Sequence, residues 1–330
     1  MQKVLVIGSN SFSGSDFIDL LLGETDYEVI GVSRSAEKPA VFLPYRLREE
    51  LSRFSFHQID MNRDMHALRE LLDRERPAYV VNFAAQSEVA PSWENPGHWF
   101  QTNAVAIAEL GHHLKDCAWL ERYVHISSPE VYGTCEGTVR EDAPVNPTTP
   151  YAASKAAGDL MLSTLVKNYD FPLVSIRATN VYGAHQQLFK IIPRSVIYLK
   201  LGRTIELHGG GVAVKSYIHI RDVSRGELAA MQGGQPGELY HLSPDEGVAV
   251  RHVVATICER LGKDFEQSTT GVAERLGQDR AYVIDSTKAR ETFGWATRVS
   301  LREGIDGVAD WIERNWDVIR SETLDYVHKP

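Results

Sequence analysis

The stretch KVLVIGSNSFSGSDFIDLLLG, residues 3–23, decides the fold. Its first part, KVLVIG (3–8), is apolar without polar alternation and reads as a strand buried on both faces. GSNSFSG (8–14) is a turn bounded by glycines, and SDFIDLLLG (15–23) is helical. A strand, a glycine turn and a helix in that order form a unit whose backbone N–H groups and helix N-terminus face a pyrophosphate. Gly8 makes the turn, and Gly14 lets the helix pack closely on the sheet. A glycine pair in such a turn is commonly structural, so the weight comes from its place at the first strand.

The same rhythm continues outward. YEVIGVS (27–33), FSFHQID (54–60), YVVNFAA (79–85) and RYVHISS (122–128) read as strands, and FPLVSIRATNVYG (171–183) as a strand and turn. Helical runs at 65–77, near 97–116 and at 151–169 separate them. Near-continuous apolar strands alternating with helices predict an α/β fold, a doubly wound parallel sheet. After residue 183, Pro193, Gly202, Gly209-Gly210-Gly211, Gly233-Gly234 and Pro236-Gly237 punctuate shorter elements. The expected organisation is a dinucleotide-binding domain over residues 1–180, with later segments returning to it, and a smaller mixed α/β domain over 181–330.

Composition excludes several classes. The 330 residues carry a formal charge of −9, which argues against a nucleic-acid footprint. Cys117, Cys135 and Cys258 form neither a zinc pattern nor a disulfide framework, so no metal is expected and a reducing compartment is. Met1-Gln2-Lys3 leads straight into the first strand, and no apolar stretch is long enough to span a bilayer. Cytoplasm is the expected location, with no membrane partner.

The second strand ends GVSRS (31–35), where an Asp or Glu would suit the ribose hydroxyls of NAD. Ser33 and Arg34 suit a 2′-phosphate better, so NADP is the expected cofactor, with NAD possible. Asp60, after the third strand, is either an adenine-side acid or a helix N-cap. YAASK (151–155) sets Tyr151 and Lys155 one helical turn apart on one face. The ammonium is expected to lower the tyrosine pKa, so that the phenolate can take a proton from a sugar hydroxyl while hydride leaves the same carbon.

At these residues the chain resembles the extended short-chain dehydrogenase/reductase family of nucleotide-sugar epimerases and dehydratases. NFAAQSEV (82–89), SSPEVYG (127–133), PYAASK (150–155), RATNVYG (177–183), YIHIRDV (217–223) and RLGQDRAYVIDSTKARETFGW (275–295) carry the resemblance along nearly the whole chain. Its G-x-x-G-x-x-G turn has Ser11 at the middle position. The resemblance implies cofactor contacts at Gly8, Ser11, Phe12, Gly14, Ser33, Arg34, Asp60, Ala84 and Lys155. It implies that Ser127 or Ser128 hydrogen-bonds the sugar beside Tyr151. It places Ser87, Glu88, Asn180, Lys190, Lys215 and Arg275 on the substrate side, the cations gripping a diphosphate. His208, His219 and His241 fit no ligand spacing and read as structural.

In relatives that dehydrate hexoses, the SSPEVYG strand end carries a Glu that removes the C5 proton and often an Asp that protonates the departing C6 hydroxyl. This chain keeps Glu130 and has Pro129 where the acid stands. The resemblance therefore implies a 4,6-dehydratase acting on a nucleotide-diphosphate sugar, giving a 4-keto-6-deoxy sugar or a 5,6-ene. A 4-epimerase or 4-reductase is the alternative, and a nonenzymatic dinucleotide sensor is a rival of another class. AAQSEVAPSWENP (84–96) is closest to GDP-mannose dehydratases and QQLFKIIPRSV (186–196) to dTDP-glucose dehydratases. UDP-N-acetylhexosamine is the expected substrate by elimination. The apolar faces of helices 97–116 and 151–169 exceed what one sheet face needs, and a homodimer through a four-helix bundle is expected.

Overall fold

The computed structural model describes residues 1–134, 137–273 and 283–330. Seven strands form one parallel sheet: β1 (Lys3–Ile7), β2 (Glu28–Ser33), β3 (Phe54–Gln58), β4 (Tyr79–Asn82), β5 (Arg122–Ile126), β6 (Leu173–Ala178) and β7 (Leu239–Leu242). Their spatial order is β3-β2-β1-β4-β5-β6-β7. The order reverses between β1 and β4, and a crevice opens beyond their C-terminal ends. β7 comes from the second half of the chain and pairs with β6, Tyr240 opposite Ile176.

Among the described residues eight longer helices accompany the sheet: α1 (Phe12–Glu24), α2 (Met65–Glu75), α3 (Ala106–Leu114), α4 (Pro150–Tyr169), α5 (Ile191–Lys200), α6 (Ile220–Gly233), α7 (Val250–Arg260) and α8 (Leu301–Arg314). Phe17 and Leu21 of α1 and Met231 of α6 pack with Val4, Val81 and Ile176 on one face of the sheet. Leu68 and Leu72 of α2, Ile107 and Leu110 of α3 and Leu162 of α4 pack with Leu5, Val80 and Tyr123 on the other. Each fully buried Val, Ile or Leu contributes about 1.5–3 kcal/mol. A separate core of Val196, Val254, Ile257, Val308 and Ile312 unites α5, α7 and α8 at the open end of the sheet.

Two expected elements differ in detail. The helix near 97–116 is interrupted by a π-helical turn, Gln101–Val105, before α3 begins. Gly158 of α4 explains it: a side chain there would strike the Asn103 carbonyl, so α4 approaches this turn more closely than two regular helices with β-carbons allow. The strand and turn expected over 171–183 form two strands, Leu173–Ala178 and Asn180–Tyr182. Asn180–Tyr182 leaves the main sheet to pair in parallel with Tyr217–His219, carrying the chain into the second half.

Candidate active site

The glycine turn is built as the spacing predicts. Gly8 has φ of 86° and donates its N–H to Val32 at 2.8 Å. A β-carbon at Gly8 would lie 2.7 Å from the Ala84 nitrogen, and one at Gly14 would strike the Gly8 carbonyl. Both positions therefore require glycine. Ser11 caps α1, its Oγ accepting the Gly14 N–H at 2.9 Å, so the residue at the middle position serves the helix end. Phe12 is buried at the first turn of α1, and neither it nor Gly14 lines the cleft.

That cleft, about 300 Å³, is lined by Gly8, Ser11, Ser33, Arg34, Asp60, Ala84, Gln86 and Ser87 among others. The Ser33 hydroxyl is engaged by the turn, accepting from the Asn10 N–H at 2.9 Å and from Ser9 Oγ at 3.3 Å. Asp60 is not the N-cap of α2, a position held by Asp64. Its Oδ1 instead accepts the Asn62 N–H at 2.9 Å, closing a turn at the cleft wall. Arg34 donates to the carbonyls of Lys329 at 3.2 Å and Pro330 at 2.8 Å.

A second cavity of about 530 Å³ adjoins it, lined by Ser87, Glu88, Glu130, Asn180, Phe189, Lys190, Arg194, Lys215, Tyr217 and Tyr326 among others. Ser87 and Glu88 border both spaces. Lys190 donates to Glu88 Oε1 at 2.7 Å. Asn180 donates its side-chain N–H to the Ser216 carbonyl at 3.3 Å. Arg275 lies outside the described residues.

Tyr151 and Lys155 sit on α4, whose start is fixed by Pro150 and by Thr149 Oγ1 accepting the Ala152 N–H. Both are buried, 8% and 2% exposed. Glu130 follows Pro129, the first residue of a 3₁₀ turn (Pro129–Tyr132) capped by Ser128. Pro129 thus shapes the turn that turns the Glu130 carboxylate toward the larger cavity. Burial and then the charge of Glu130 push the Tyr151 phenol up, while a hydrogen bond with Ser128 pulls it down. This corrects the expectation from spacing alone. Burial and Glu130 set the direction, and the Lys155 ammonium donates to the Ile126 carbonyl at 2.7 Å. Burial pulls Lys155 itself down to about 8.

Ser127 and Ser128 part company. Ser128 faces Tyr151, whereas Ser127 Oγ donates to Asp159 Oδ2 at 2.6 Å, behind the cleft. Asp159 continues the face of α4 that holds Tyr151 and Lys155, eight and four residues on from them. Arg177 of β6 donates to the same carboxylate oxygen at 2.6 Å, and His125 of β5 faces the other at 3.3 Å. Burial opposes ionisation, yet the His125 ring and the Arg177 guanidinium hold Asp159 well below the usual carboxylate range. Arg177 also lies over the Tyr132 ring at 4.5 Å, and the Tyr132 hydroxyl is bonded to His241 Nε2 at 2.7 Å.

Sequence reading passed over Asp159, Arg177, Asn103 and Gln86. The position four beyond Lys155 was a signal for Asp159. Nothing local marked Asn103, whose side chain bonds both backbone groups of Gln86 at 2.9 Å and Ser154 Oγ at 2.9 Å. Away from the cleft, Asp73, His113 and Cys117 bring three ligand atoms within 4.8 Å of one another. Burial and the charges of Asp73 and Asp116 push the Cys117 thiol up to about 11, which disfavours the thiolate a metal would need.

A glycine-turn parallel sheet with a Tyr-x-x-x-Lys pair at its open edge defines a Rossmann-fold dehydrogenase/reductase architecture. The sequence model of the family described as GDP-mannose 4,6 dehydratase matches residues 5–308, and the chain belongs to that family. It is 27% identical to the dTDP-glucose 4,6-dehydratase of Haemophilus influenzae, over 94% of this chain and 98% of that protein. Among solved structures it is similar to the dTDP-glucose 4,6-dehydratase DesIV of Streptomyces venezuelae, determined with NAD bound. That match has a TM-score of 0.88 and 30% identity over 96% of this chain and 98% of the other. The UDP-glucuronic acid 4-epimerase of Bacillus cereus, determined with UDP-glucuronic acid and NAD, matches with a TM-score of 0.86 and 25% identity over 95% and 99%.

Proposed function

We propose that the chain is a nicotinamide-dependent nucleotide-sugar 4,6-dehydratase. The observation that carries this reading is Glu130, a carboxylate on the wall of the substrate-sized cavity and close enough to Tyr151 to raise its pKa. Epimerisation at C4 needs only the tyrosine, whereas dehydration needs a second base at C5. The buried Tyr151–Lys155 pair has no use in a dinucleotide sensor.

The cleft over Gly8 fits a dinucleotide. Its backbone approach needs glycine, the N-terminus of α1 faces it, and Arg34 and Lys38 line it. A bound nicotinamide supplies the hydride acceptor at C4 and the hydride that returns to C6. Tyr151, as the phenolate favoured by the Lys155 ammonium one turn along α4 and by its hydrogen bond with Ser128, takes the C4 hydroxyl proton. The C4 ketone acidifies C5–H, and Glu130 takes that proton. Pro129 has no proton to donate, so neutral Glu130 passes the proton to the C6 hydroxyl on the same face, and water leaves by syn elimination; once C6 is reduced, Glu130 relays a solvent proton back to C5 and Tyr151 returns its proton to solvent. Lys190, Arg194 and Lys215 lie where a diphosphate would bind, with Lys190 exchanging Glu88 for phosphate.

The two dehydratases named above are dTDP-glucose 4,6-dehydratases, which favours a nucleoside-diphosphate glucose over the N-acetylhexosamine expected from sequence. Arg34 and Lys38 favour NADP over NAD. The exposed Val105 and Leu160, on the π-helical turn and on α4, support a homodimer through those helices. Mass spectrometry of products formed from dTDP-, UDP- and GDP-hexoses tests the reaction. Loss of one water is expected; an unchanged mass with altered retention would mean epimerisation.

A further inference from the structure

Beyond Arg320 the chain turns back across the mouth of both cavities. Leu324, Asp325 and Tyr326 border the substrate side, and Tyr326, Val327 and Lys329 border the dinucleotide cleft. Residues 326–330 have no helix or strand of their own, so side chains must hold them in place. Three attachments do so. The Tyr326 ring packs edge-on against Phe189, with centroids 5.5 Å apart. His328 stacks on His98 and on Trp99, 5.2 and 5.1 Å between centroids and 14° between planes, and is hydrogen-bonded to His98 at 2.9 Å. The Lys329 carbonyl accepts from Gln86 Nε2 at 2.6 Å and from Arg34 at 3.2 Å. Gln86 is itself immobilised by Asn103. The segment is thus fastened to the dinucleotide half at Arg34, Gln86, His98 and Trp99 and to the second half at Phe189, by rings and by hydrogen bonds.

The charges at this edge are unbalanced. Arg34, Lys38 and Lys329 all line the cleft; none is ion-paired with an Asp or Glu side chain among the described residues, and Arg34 also meets the Pro330 oxygen at 2.8 Å. Burial and then the neighbouring Lys329 push the Lys38 ammonium down. Asp60 is the carboxylate at this end, and Glu88, at the other, is already paired with Lys190. Three cations lining one cleft are complemented by a doubly charged anion.

We propose that residues 326–329 form a strap over the adenosine half of a bound dinucleotide, with Lys329 joining Arg34 and Lys38 around a 2′-phosphate. This rests on the dinucleotide reading above. In a dehydratase the hydride goes back to the product, so the dinucleotide ends each turnover as it began. A strap that slows its exchange costs the reaction nothing and keeps water from the cleft.

Stopped-flow release of NADPH and of NADH, chased with excess oxidised dinucleotide, tests this in wild type, His328→Ala and Lys329→Ala. His328→Ala should speed release of both by about tenfold or more, the effect of losing about 1.4 kcal/mol of closure. Lys329→Ala should speed NADPH release by a similar factor and leave NADH unchanged. Wild-type release rates in His328→Ala would overturn the strap, and an equal effect of Lys329→Ala on both dinucleotides would overturn the phosphate assignment. A wild-type protein that binds neither dinucleotide would overturn the cofactor reading itself.

Discussion

Replacing Asp159 with Asn removes the charge that balances the ions behind the Tyr151–Lys155 pair. The groups facing Lys155 are Asp159 on its own helix, His125 of β5 and Arg177 of β6. Asn preserves the shape and one acceptor, but the two bonds of 2.6 Å from Ser127 and Arg177 lose their ionic partner. Breaking a buried ion pair by removing one partner costs about 3–5 kcal/mol, and the retained acceptor puts Asp159→Asn near about 3. Urea denaturation should show a midpoint lower by roughly 1 M at an m-value of about 3 kcal/mol/M. Adding Arg177→Leu should restore part of the loss, since the stranded guanidinium is its main source. Activity gives an independent reading. Asp159 raises the Lys155 pKa while burial and Arg177 lower it, the balance being about 8. Without the carboxylate, the ammonium is lost at lower pH, so the alkaline limb of kcat/KM should move below about 8. A destabilisation under about 1 kcal/mol together with an unmoved alkaline limb would refute the reasoning.

Glu227 of α6 is 1% exposed, lies beside Asp16, and its Oε2 has no hydrogen-bond partner among the described residues. Burial and then Asp16 raise its pKa well above the usual 4.5, so the folded protein keeps a proton that the unfolded chain releases above that value. Its stability contribution falls as pH climbs from about 4.5 toward the folded pKa. Glu227→Gln should therefore raise Tm by more at pH 8 than at pH 5, and a gap independent of pH would count against a protonated Glu227. Light scattering at micromolar concentration should give a dimer mass for the wild type and a monomer mass for Leu160→Glu, and a wild-type monomer would remove the four-helix interface.

The sheet was legible because period and composition carry it. β1, β2, β4, β5 and β6 are apolar runs that only a doubly covered parallel sheet accommodates. Gly8 and Gly14 were legible because their reason is steric and local. The partners of the catalytic pair were less so. The spacing of Tyr151 and Lys155 gave their shared face, but the direction of the Lys155 ammonium depends on the Ile126 carbonyl, which only the packing of β5 against α4 supplies. Ser127 and Ser128 alternate across the end of β5, and sequence alone could not tell which would meet Asp159. The π-helical turn at Gln101–Val105 and the strap at 326–329 arise from contacts over long separations, Asn103 with Ser154 and Gln86 with Lys329. No propensity encodes them.

The central claim is that Glu130 is the base at C5. Its test is Glu130→Gln with substrate in deuterated water, following C5–H exchange and loss of water side by side. The substitution keeps the shape of the side chain and removes its basicity, and losing a positioned acid–base group typically costs about 10²–10⁴-fold in rate. Nucleotide binding and C4 oxidation should persist while exchange and elimination fall together by a factor in that range. Exchange and elimination at the wild-type rate in Glu130→Gln would contradict it.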